Sequence, residues 1–125
     1  MTWNDDQLDR LGRAHELEIT TRRTDDTLRR WIPIWAVRVG PDLYIRSAFG
    51  TRGGWYRHAV AAHAARIRAG GIETDVRPVP VTDQGVEAAV SAAYRDKYRG
   101  QGSALDTMVA ADATGTTLRL EPGGE

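Results

Sequence analysis

The sequence predicts an α+β fold, a small antiparallel β-barrel of five or six strands flanked by about three helices. Short segments rich in β-branched and aromatic residues alternate with helical segments. Mostly short turns connect the predicted strands, which favours antiparallel hairpins over a parallel sheet. The last strands can pair with the first ones, and such closure would remove the exposed sheet edges. At 125 residues the chain fits a single domain, residues 1–125.

The first helix has a clear start signal. Asn4 is a good N-cap, and Gln7 three residues later completes a capping box. Apolar residues then recur at helical spacing, which predicts a helix that ends near His15 or Glu16.

Three strands are predicted next. Residues 17–23 form the first strand, and 24–27 form a turn. Residues 32–40 and 43–49 read as two strands of a hairpin, because the Pro-Asp pair at 41–42 is a tight turn.

A glycine-rich loop at 50–54 leads into the second predicted helix. This helix spans the alanine-rich residues 55–69, and the glycine pair at 70–71 is its stop signal. Residues 72–81 alternate like a strand, and two prolines in its second half favour a sheet edge there.

The last third of the chain predicts one helix and one hairpin. Thr82 or Asp83 caps the helix. Residues 107–113 and 116–120 are expected to pair as a closing hairpin. The tail, residues 121–125, is expected to be frayed.

Composition excludes several classes of protein. The chain has no cysteine, which excludes disulfides, thiolate metal sites and a cysteine nucleophile. Its first ten residues lack the apolar core of a signal peptide, so we expect a cytoplasmic location. No apolar run approaches about 18 residues, so no membrane span is expected.

Positive charge is concentrated in the middle of the chain, although the net charge is zero. Residues 19–80 carry eleven basic and five acidic side chains, while the flanks 1–18 and 81–125 are both acidic. All of the basic residues except Lys97 are arginines. Arginine suits bidentate recognition of anions, but a GC-rich genome gives the same bias.

The glycine-rich loop is the first candidate binding site. A loop of this kind before a helix exposes backbone N–H groups, and the helix dipole favours anions there. Side chains of Ser47, Thr51, Arg52 and Arg57 would add donors to a phosphate group. The alternative is an ordinary turn with solvated arginines, and the loop matches no nucleotide-binding consensus.

Two arginines interrupt apolar strands near this loop. Arg38 and Arg46 lie on predicted strands of otherwise apolar character. Each faces either water or a site, and two such residues near one loop favour an anion site.

Aromatic residues are frequent around the loop. They can stack on a planar ring system, but they equally suit the core or a dimer interface. They are Trp31, Trp35, Tyr44, Trp55 and Tyr56.

Other chemistries have less support. His58 and His63 are five residues apart on one helix and share a face poorly, so no metal site is predicted. His58 is a candidate general acid or base, against a plain surface histidine. A nucleic-acid role is disfavoured, because the sequence pI is near 6.8, whereas domains that bind nucleic acid are usually basic.

Four segments resemble one bacterial family, called domain of unknown function 2255. They are "IWAVRVGPDLYIRSAFGTRGGWYRHA", "RIRAGGIETDVRP", "AAYRDKYRG" and "TTLRLEP", and the resemblance runs from Trp3 to Pro122. It implies no established activity.

A more distant resemblance is to the flavin-binding split barrels. These include pyridoxamine-phosphate-oxidase-like proteins and deazaflavin-dependent nitroreductases, and they commonly dimerise. In the nitroreductases a small-residue loop precedes a helix that begins Trp-Tyr-x-Asn; His58 stands here in the place of that asparagine. The matching residues of this chain are Ser47, Gly50, Gly53, Gly54, Trp55 and Tyr56.

This second resemblance implies a small homodimer that binds flavin mononucleotide (FMN) or a deazaflavin and acts as an oxidoreductase. It assigns phosphate contacts to Arg46, Ser47, Thr51 and Arg52. It assigns the ring contacts to Trp35, Trp55 and Tyr56, with Arg38 and Arg57 as further contacts to an anionic tail. The alternatives are a split-barrel interaction module without a cofactor and a nucleic-acid-associated protein.

Overall fold

A computed structural model describes residues 3–123 of the chain. The strands of this part are β1 Leu17–Thr20, β2 Ile32–Ile34, β3 Ala36–Val39, β4 Asp42–Ile45, β5 Ala65–Ala69, β6 Ile72–Pro80 and β7 Leu118–Pro122. The α-helices are α1 Asp5–Arg13, α2 Gly54–Ala62, α3 Gln84–Lys97, α4 Ser103–Val109 and α5 Ala111–Thr114, and a 3₁₀ turn spans Gly50–Arg52.

The strands form one antiparallel sheet in the order β2-β1-β5-β6-β7-β4-β3. Its two edge strands, β2 and β3, are separated along the chain by Trp35 alone. Because the sheet begins and ends at neighbouring residues, it curls into a nearly closed barrel. The predicted fold class is therefore confirmed, with seven strands and five helices in the described residues instead of five or six strands and about three helices.

The capping box of the first helix is confirmed. Asn4 accepts from the Gln7 backbone N–H at 2.8 Å, and Gln7 accepts from the Asn4 N–H at 3.1 Å. Helix α1 buries Leu8 and Leu11 in the main core together with the inner faces of the barrel strands. Each such leucine contributes about 1.5–3 kcal/mol of burial free energy. The helix ends at Arg13, slightly earlier than predicted.

Helix α3 covers the outer face of the β3–β4 hairpin. Asp83 is its N-cap and accepts from the N–H groups of Gly85 and Val86. The helix buries Val90, Tyr94 and Tyr98 in a second core, whose other members include Val37, Tyr44 and Met108. This core lies between the hairpin and helices α3 and α4, on the side of the sheet that faces away from the barrel interior.

Two tyrosines of α3 complete the hydrogen bonding at the break between β2 and β3. Tyr94 donates to the Trp35 carbonyl at 2.8 Å, and Tyr98 donates to the carbonyls of Ala36 and His15. Lys97 also donates to Ala36 O, at 2.6 Å. Carbonyls in a break of a buried sheet need such partners, since an unpaired buried polar group costs about 1–3 kcal/mol.

The prediction of one helix over residues 55–69 is wrong in its second half. Helix α2 ends at Ala62, and His63 adopts a left-handed conformation with φ +54°. Residues 65–69 form β5, where Ala65 and Ile67 alternate into the core. High alanine content favoured a helix, but pairing with β1 on one side and β6 on the other outweighs that weak preference. The glycines at 70–71 form the β5–β6 hairpin turn, with φ +59° and +82°.

The predicted closing hairpin is also wrong. Residues 107–113 fall in α4 and α5, and only the second predicted strand exists, as β7. Strand β7 pairs with β4 and β6, so its neighbours come from distant parts of the chain. Sequence spacing cannot reveal this, because a local hairpin and a long-range pairing leave the same alternating pattern.

Several strands and turns begin or end at other residues than predicted. Strand β1 ends at Thr20, although an isolated bridge joins Arg22 to Leu28. The β3–β4 turn lies at Gly40–Pro41, one residue before the predicted Pro-Asp turn. The first two tail residues, 121–122, belong to β7, and the end of the tail at 124–125 lies outside the described residues.

The two prolines of β6 lie where an edge was predicted. The second half of β6 pairs with β7 only, because β5 reaches no further than Val76. Val81 donates to Thr117 O, so alternation directs the N–H groups of Arg77 and Val79 toward β7. The nitrogens of Pro78 and Pro80 therefore point to the unpaired side, where no ladder bond is lost.

Candidate functional site

A cavity of about 700 Å³ lies along the free edge of β2. Its volume falls within the usual range for small-molecule sites. Helix α4 and the loop between β4 and α2 form its other walls. The lining residues are Glu16, Arg30, Ile32, Pro33, Ile34, Trp35, Arg46, Ala48, Phe49, Gly53, Gly54, Trp55, Ala104, Thr107 and Met108.

Strand β2 keeps its edge open toward this cavity. Its ladder partner is β1 alone, with Leu17 opposite Ile34 and Ile19 opposite Ile32. Pro33 has no N–H, so these two pairs make the ladder bonds and the Pro33 carbonyl points to the free edge. The edge thus offers an acceptor and no donor at its centre, which also discourages strand pairing with another chain.

Arg46 is the buried charged residue among those that line the cavity. Only 1% of the residue is exposed. Its Nε donates to Thr117 Oγ1 at 2.9 Å, and its Nη1 donates to Ser91 Oγ at 2.8 Å and Met108 O at 3.0 Å. Its Nη2 donates to Glu87 O at 2.9 Å. Of the five N–H groups of a guanidinium, one on Nη2 remains.

All partners of Arg46 are neutral groups. Within residues 3–123 no carboxylate forms an ion pair with it. Burial lowers the pKa of Arg46, while Tyr94 and Glu87 act in the other direction. The guanidinium stays protonated, as arginine does in proteins. The wall of the cavity therefore carries a positive charge that no protein carboxylate neutralises directly.

The N-terminus of α2 opens into the same cavity. Gly53 is its N-cap and supplies no side-chain cap, and Arg57 N–H makes the first intrahelical bond, to Gly53 O. The preceding N–H groups, those of Gly54, Trp55 and Tyr56, are the orphan donors of a helix start. A Cβ atom on Gly54 would meet no other atom within 4 Å, so its side of the helix start is open space.

Gly53 and Ser47 fit together closely. A Cβ atom on Gly53 would lie 2.4 Å from Ser47 Oγ, so only glycine fits at this N-cap. Ser47 is fully buried, and its Oγ has no hydrogen-bond partner within the described chain. Its backbone N–H donates to Thr116 Oγ1, which fixes the strand end. An unsatisfied buried hydroxyl beside a helix N-terminus is a feature that calls for a ligand or water.

Two indoles supply the aromatic walls. Trp35 lines the cavity and stacks on Tyr98 with ring centroids 3.9 Å apart. Trp55 lines it from the start of α2 and meets Tyr56 edge to face at 6.1 Å. Both indoles are partly buried, which leaves surface for a planar ligand.

The structure brings together only part of the predicted site. Arg46, Trp35 and Trp55 line the cavity, and Ser47 lies directly behind Gly53. Tyr56 contacts the main core and the Trp55 ring without lining the cavity.

The remaining predicted residues lie outside the cavity. Thr51 and Arg52 are exposed on the 3₁₀ turn, and Arg57 is exposed on α2. Arg38 lies on the opposite face of the β3–β4 hairpin from Arg46, where it packs on Gly12 of α1 and donates to Gly40 O. The two strand arginines therefore do not form one site.

His58 is exposed on α2 and does not line the cavity. Its pKa is lowered, first by desolvation and then by the positive charges of Arg29 and Arg57.

Sequence reasoning missed several lining residues. Glu16 was expected only as a possible end of the first helix, and Arg30 was assigned no role. Thr107 and Met108 were assigned to a strand that does not exist. Their place in the cavity depends on how α4 packs, and no local pattern in the sequence encodes that packing.

The chain belongs to the family described as "Uncharacterized protein conserved in bacteria (DUF2255)", whose model matches residues 7–120. This confirms the resemblance drawn from the sequence motifs. No protein with a curated description matches the chain.

Three solved structures share the fold at low sequence identity. An F420 reductase is 18% identical with a TM-score of 0.53, and the match covers 94% of this chain and 93% of that one. A proposed 5-nitroimidazole antibiotic resistance protein from Bacteroides thetaiotaomicron VPI-5482 is 11% identical with a TM-score of 0.61, covering 96% and 80%. An FAD and heme binding protein from Mycobacterium smegmatis is 18% identical with a TM-score of 0.57, covering 94% and 64%. At this identity the likeness establishes the split-barrel fold alone.

Within residues 3–123, none of the helices has the length and apolar character needed to cross a membrane.

Proposed function

We propose that this protein binds a phosphorylated flavin or deazaflavin in the β2-edge cavity and acts as an oxidoreductase. One observation carries the proposal. The start of helix α2, with its unpaired N–H groups, opens into the same cavity as the uncompensated Arg46 guanidinium. A helix N-terminus next to a buried positive charge favours an anion, and phosphate is the anion such sites commonly hold.

The residues at this end fit a phosphate group. The N–H groups of Gly54 and Trp55, which have no partner within the helix, would donate to it. Ser47 Oγ lacks a partner within residues 3–123, but it is buried behind Gly53 and does not line the cavity, so it would not contact the phosphate directly. Arg46 contributes mainly its charge, since four of its N–H groups already bond to the protein. Arg52 and Arg57 lie next to this helix start and would attract the anion through water.

The walls fit a planar ring system. Trp35 and Trp55 line the cavity together with apolar side chains of β2 and α4. The Pro33 carbonyl would accept a hydrogen bond from a ring N–H, because it points to the free edge of β2. When bound, the cofactor would supply hydride chemistry, and the protein would supply orientation and exclusion of water.

The neighbouring structures agree with this class of ligand. The names of two of them specify F420 reductase activity and FAD and heme binding, respectively. These names describe those proteins, and the cavity described above is what extends the idea to this chain.

A homodimer belongs to the same proposal. Phe49 is 78% exposed, the one large hydrophobic side chain of residues 3–123 left so open, and it lies at the cavity wall. A second copy packed on Phe49 would cover this apolar edge and enclose the cavity. Sedimentation equilibrium of wild type and Phe49→Ser tests this: the wild type should be dimeric and the variant should dissociate more readily. A monomeric wild type would exclude the dimer.

The phosphate site is tested by a substitution at the first residue of α2. Gly54→Pro removes one backbone N–H while keeping the helix, since proline is favoured at this position. Gly54→Ala is the matched control, because it adds a Cβ into open space and keeps the N–H. Titrations of FMN and of the deazaflavin F420 by fluorescence should show at least about tenfold weaker binding for the proline variant, the loss expected for a hydrogen bond to a charged group.

The affinities of wild type, Gly54→Ala and Gly54→Pro distinguish the possible outcomes. Near wild-type affinity of Gly54→Ala with weak binding of Gly54→Pro supports the site. Equal affinity of all three proteins would place the phosphate elsewhere. Failure of the wild type to bind FMN or F420 at millimolar concentration would overturn the proposed function.

A further inference from the structure

The β2-edge cavity carries charges of both signs. Arg46, Arg30 and the start of α2 contribute positive character, whereas Glu16 is the acidic side chain among the lining residues. The β1–β2 register places Leu17 opposite Ile34, and one further step places Glu16 opposite Trp35. Directly opposed residues share a face of the sheet, with Cβ atoms about 4.5–5.5 Å apart. This register makes Glu16 and Trp35 neighbours at the ends of the paired strands, and both line the cavity.

Glu16 has no ion-pair partner among the residues that the structure describes. Lys97 lies nearby, but its Nζ is held by Ala36 O at 2.6 Å and the residue does not line the cavity. Arg30 lines it at the other end of β2. His15 meets the Trp35 ring edge at 6.0 Å and is likewise outside the cavity wall. The negative charge of Glu16 is thus available to a ligand.

Trp35 adds an aromatic surface next to this carboxylate. Tyr98 covers one face of the indole in a nearly parallel stack, with an interplanar angle of 3°. Since Trp35 still lines the cavity, its remaining surface is free for a ligand. The face of an indole attracts organic cations, and tryptophan does so more strongly than the other aromatic residues. A carboxylate beside such a face reinforces that preference.

We propose that Glu16 and Trp35 form a binding site for an organic cation, either a protonated amine or a quaternary ammonium group. The cation would lie between Glu16 and Trp35, in the same cavity as the phosphate site. The assignment of this cation as the substrate of the enzyme rests on the proposed function. Binding of the cation to Glu16 and Trp35 does not depend on that function.

Benzyltrimethylammonium chloride is a suitable probe, and phenylacetate is the comparison ligand with a similar ring and opposite charge. The indole N–H signals of the four tryptophans can be followed in ¹⁵N-labelled protein. The Trp35 signal is identified by its loss in Trp35→Phe. We expect a saturable shift of this signal with the cation, and no comparable shift with phenylacetate.

Glu16→Gln should weaken binding of benzyltrimethylammonium by about tenfold, because it removes a negative charge next to an aromatic cation site. Asp106→Asn is the matched control, because it removes one exposed carboxylate outside the cavity and should leave the affinity unchanged. Equal affinity of wild type and Glu16→Gln overturns the proposal. A Trp35 response that phenylacetate reproduces, or the absence of any saturable response, overturns it as well.

Failure of this site and failure of the cofactor site are distinguishable. FMN titration of Glu16→Gln should give wild-type affinity, since the phosphate end is unaltered. If FMN and F420 bind but the cation response does not depend on Glu16, only the cation site fails. If neither cofactor binds while the Glu16-dependent response persists, the cation site stands and the proposed function fails.

Discussion

The indole of Trp35 lies flat on the phenol of Tyr98, with ring centroids 3.9 Å apart and planes within 3° of parallel. Trp35 is the residue between the two edge strands, and Tyr98 is the C-cap of α3. The stack and the hydrogen bonds of Tyr98 to His15 O and Ala36 O fasten the long helix to the break in the barrel. Stability of the barrel closure therefore depends on this pair.

Tyr98→Phe should lower the free energy of unfolding by about 1 kcal/mol, because it leaves the partly buried His15 carbonyl without its donor while the ring stack remains and Lys97 still bonds to Ala36 O. Tyr98→Leu should cost more, about 2–4 kcal/mol, since it removes the stack and part of the packing as well. Urea denaturation of the three proteins measures both differences. Equal stability of the phenylalanine variant and wild type would show that water replaces the hydroxyl at no cost.

We expect Arg46 to stabilise the fold as well as to supply positive charge to the binding site. Arg46→Met should destabilise the protein by about 3 kcal/mol or more, because the carbonyls of Glu87 and Met108 and two hydroxyls lose a buried donor. Arg46→Lys keeps the charge but not the fork of donors, and its stability should fall between those of wild type and the methionine variant. Thermal unfolding followed by circular dichroism gives the ranking, and a methionine variant as stable as wild type would refute it.

The contact between Gly53 and Ser47 predicts a compensating double substitution. Gly53→Ala should destabilise the protein by about 1–3 kcal/mol, because its Cβ would collide with Ser47 Oγ. Ser47→Ala removes an unsatisfied hydroxyl and should be near neutral.

The double variant should recover most of the loss, since the methyl groups then fit side by side. A double-mutant cycle by denaturant titration measures this coupling. Additive effects of the two substitutions would contradict the contact.

Lys97 gives the stability a defined dependence on pH. Burial lowers the pKa of Lys97 to about 8, whereas a lysine in an unfolded chain titrates near 10.4. Between these values the unfolded chain holds a proton that the folded chain has released, so the free energy of unfolding rises with pH. Lys97→Met lacks this contribution. From pH 7 to pH 10 the stability of wild type should therefore gain about 1–2 kcal/mol relative to the variant, less than the full shift implies because the Lys97 ammonium is only partly buried.

Denaturant titrations of both proteins at several pH values in this window measure the difference. Burial raises the pKa of Tyr94 and Tyr98, but these groups lower stability only above about pH 10 and are present in both proteins. A stability difference that stays constant with pH would show that the Lys97 ammonium remains solvated in the folded protein.

The sequence was most informative where local chemistry decides the structure. The capping box at Asn4, the cap at Asp83 and the alternation in β3 and β4 are all present in the fold. Prediction failed where tertiary pairing outweighs local preference. Residues 65–69 have helical composition, yet they fill the space between β1 and β6.

The site was predictable to a similar extent. The glycine loop and Arg46 were found from the sequence pattern, and both border the cavity. The strand that carries this pattern was predicted over 43–49 but ends at Ile45. Glu16 and Thr107 were not found, because their roles arise from cross-strand register and from the packing of α4. Arg38 resembled Arg46 in sequence, but strand alternation places the two on opposite faces of one hairpin.

The position of β7 has a consequence for how the protein is made. This strand lies between β6 and β4 and joins the two parts of the sheet. Without it, the ladder of β2-β1-β5-β6 and the β3–β4 hairpin share no strand pairing within the described residues. A nascent chain that lacks residues 118–122 therefore carries two half-sheets, and the barrel can assemble only after β7 has been synthesised.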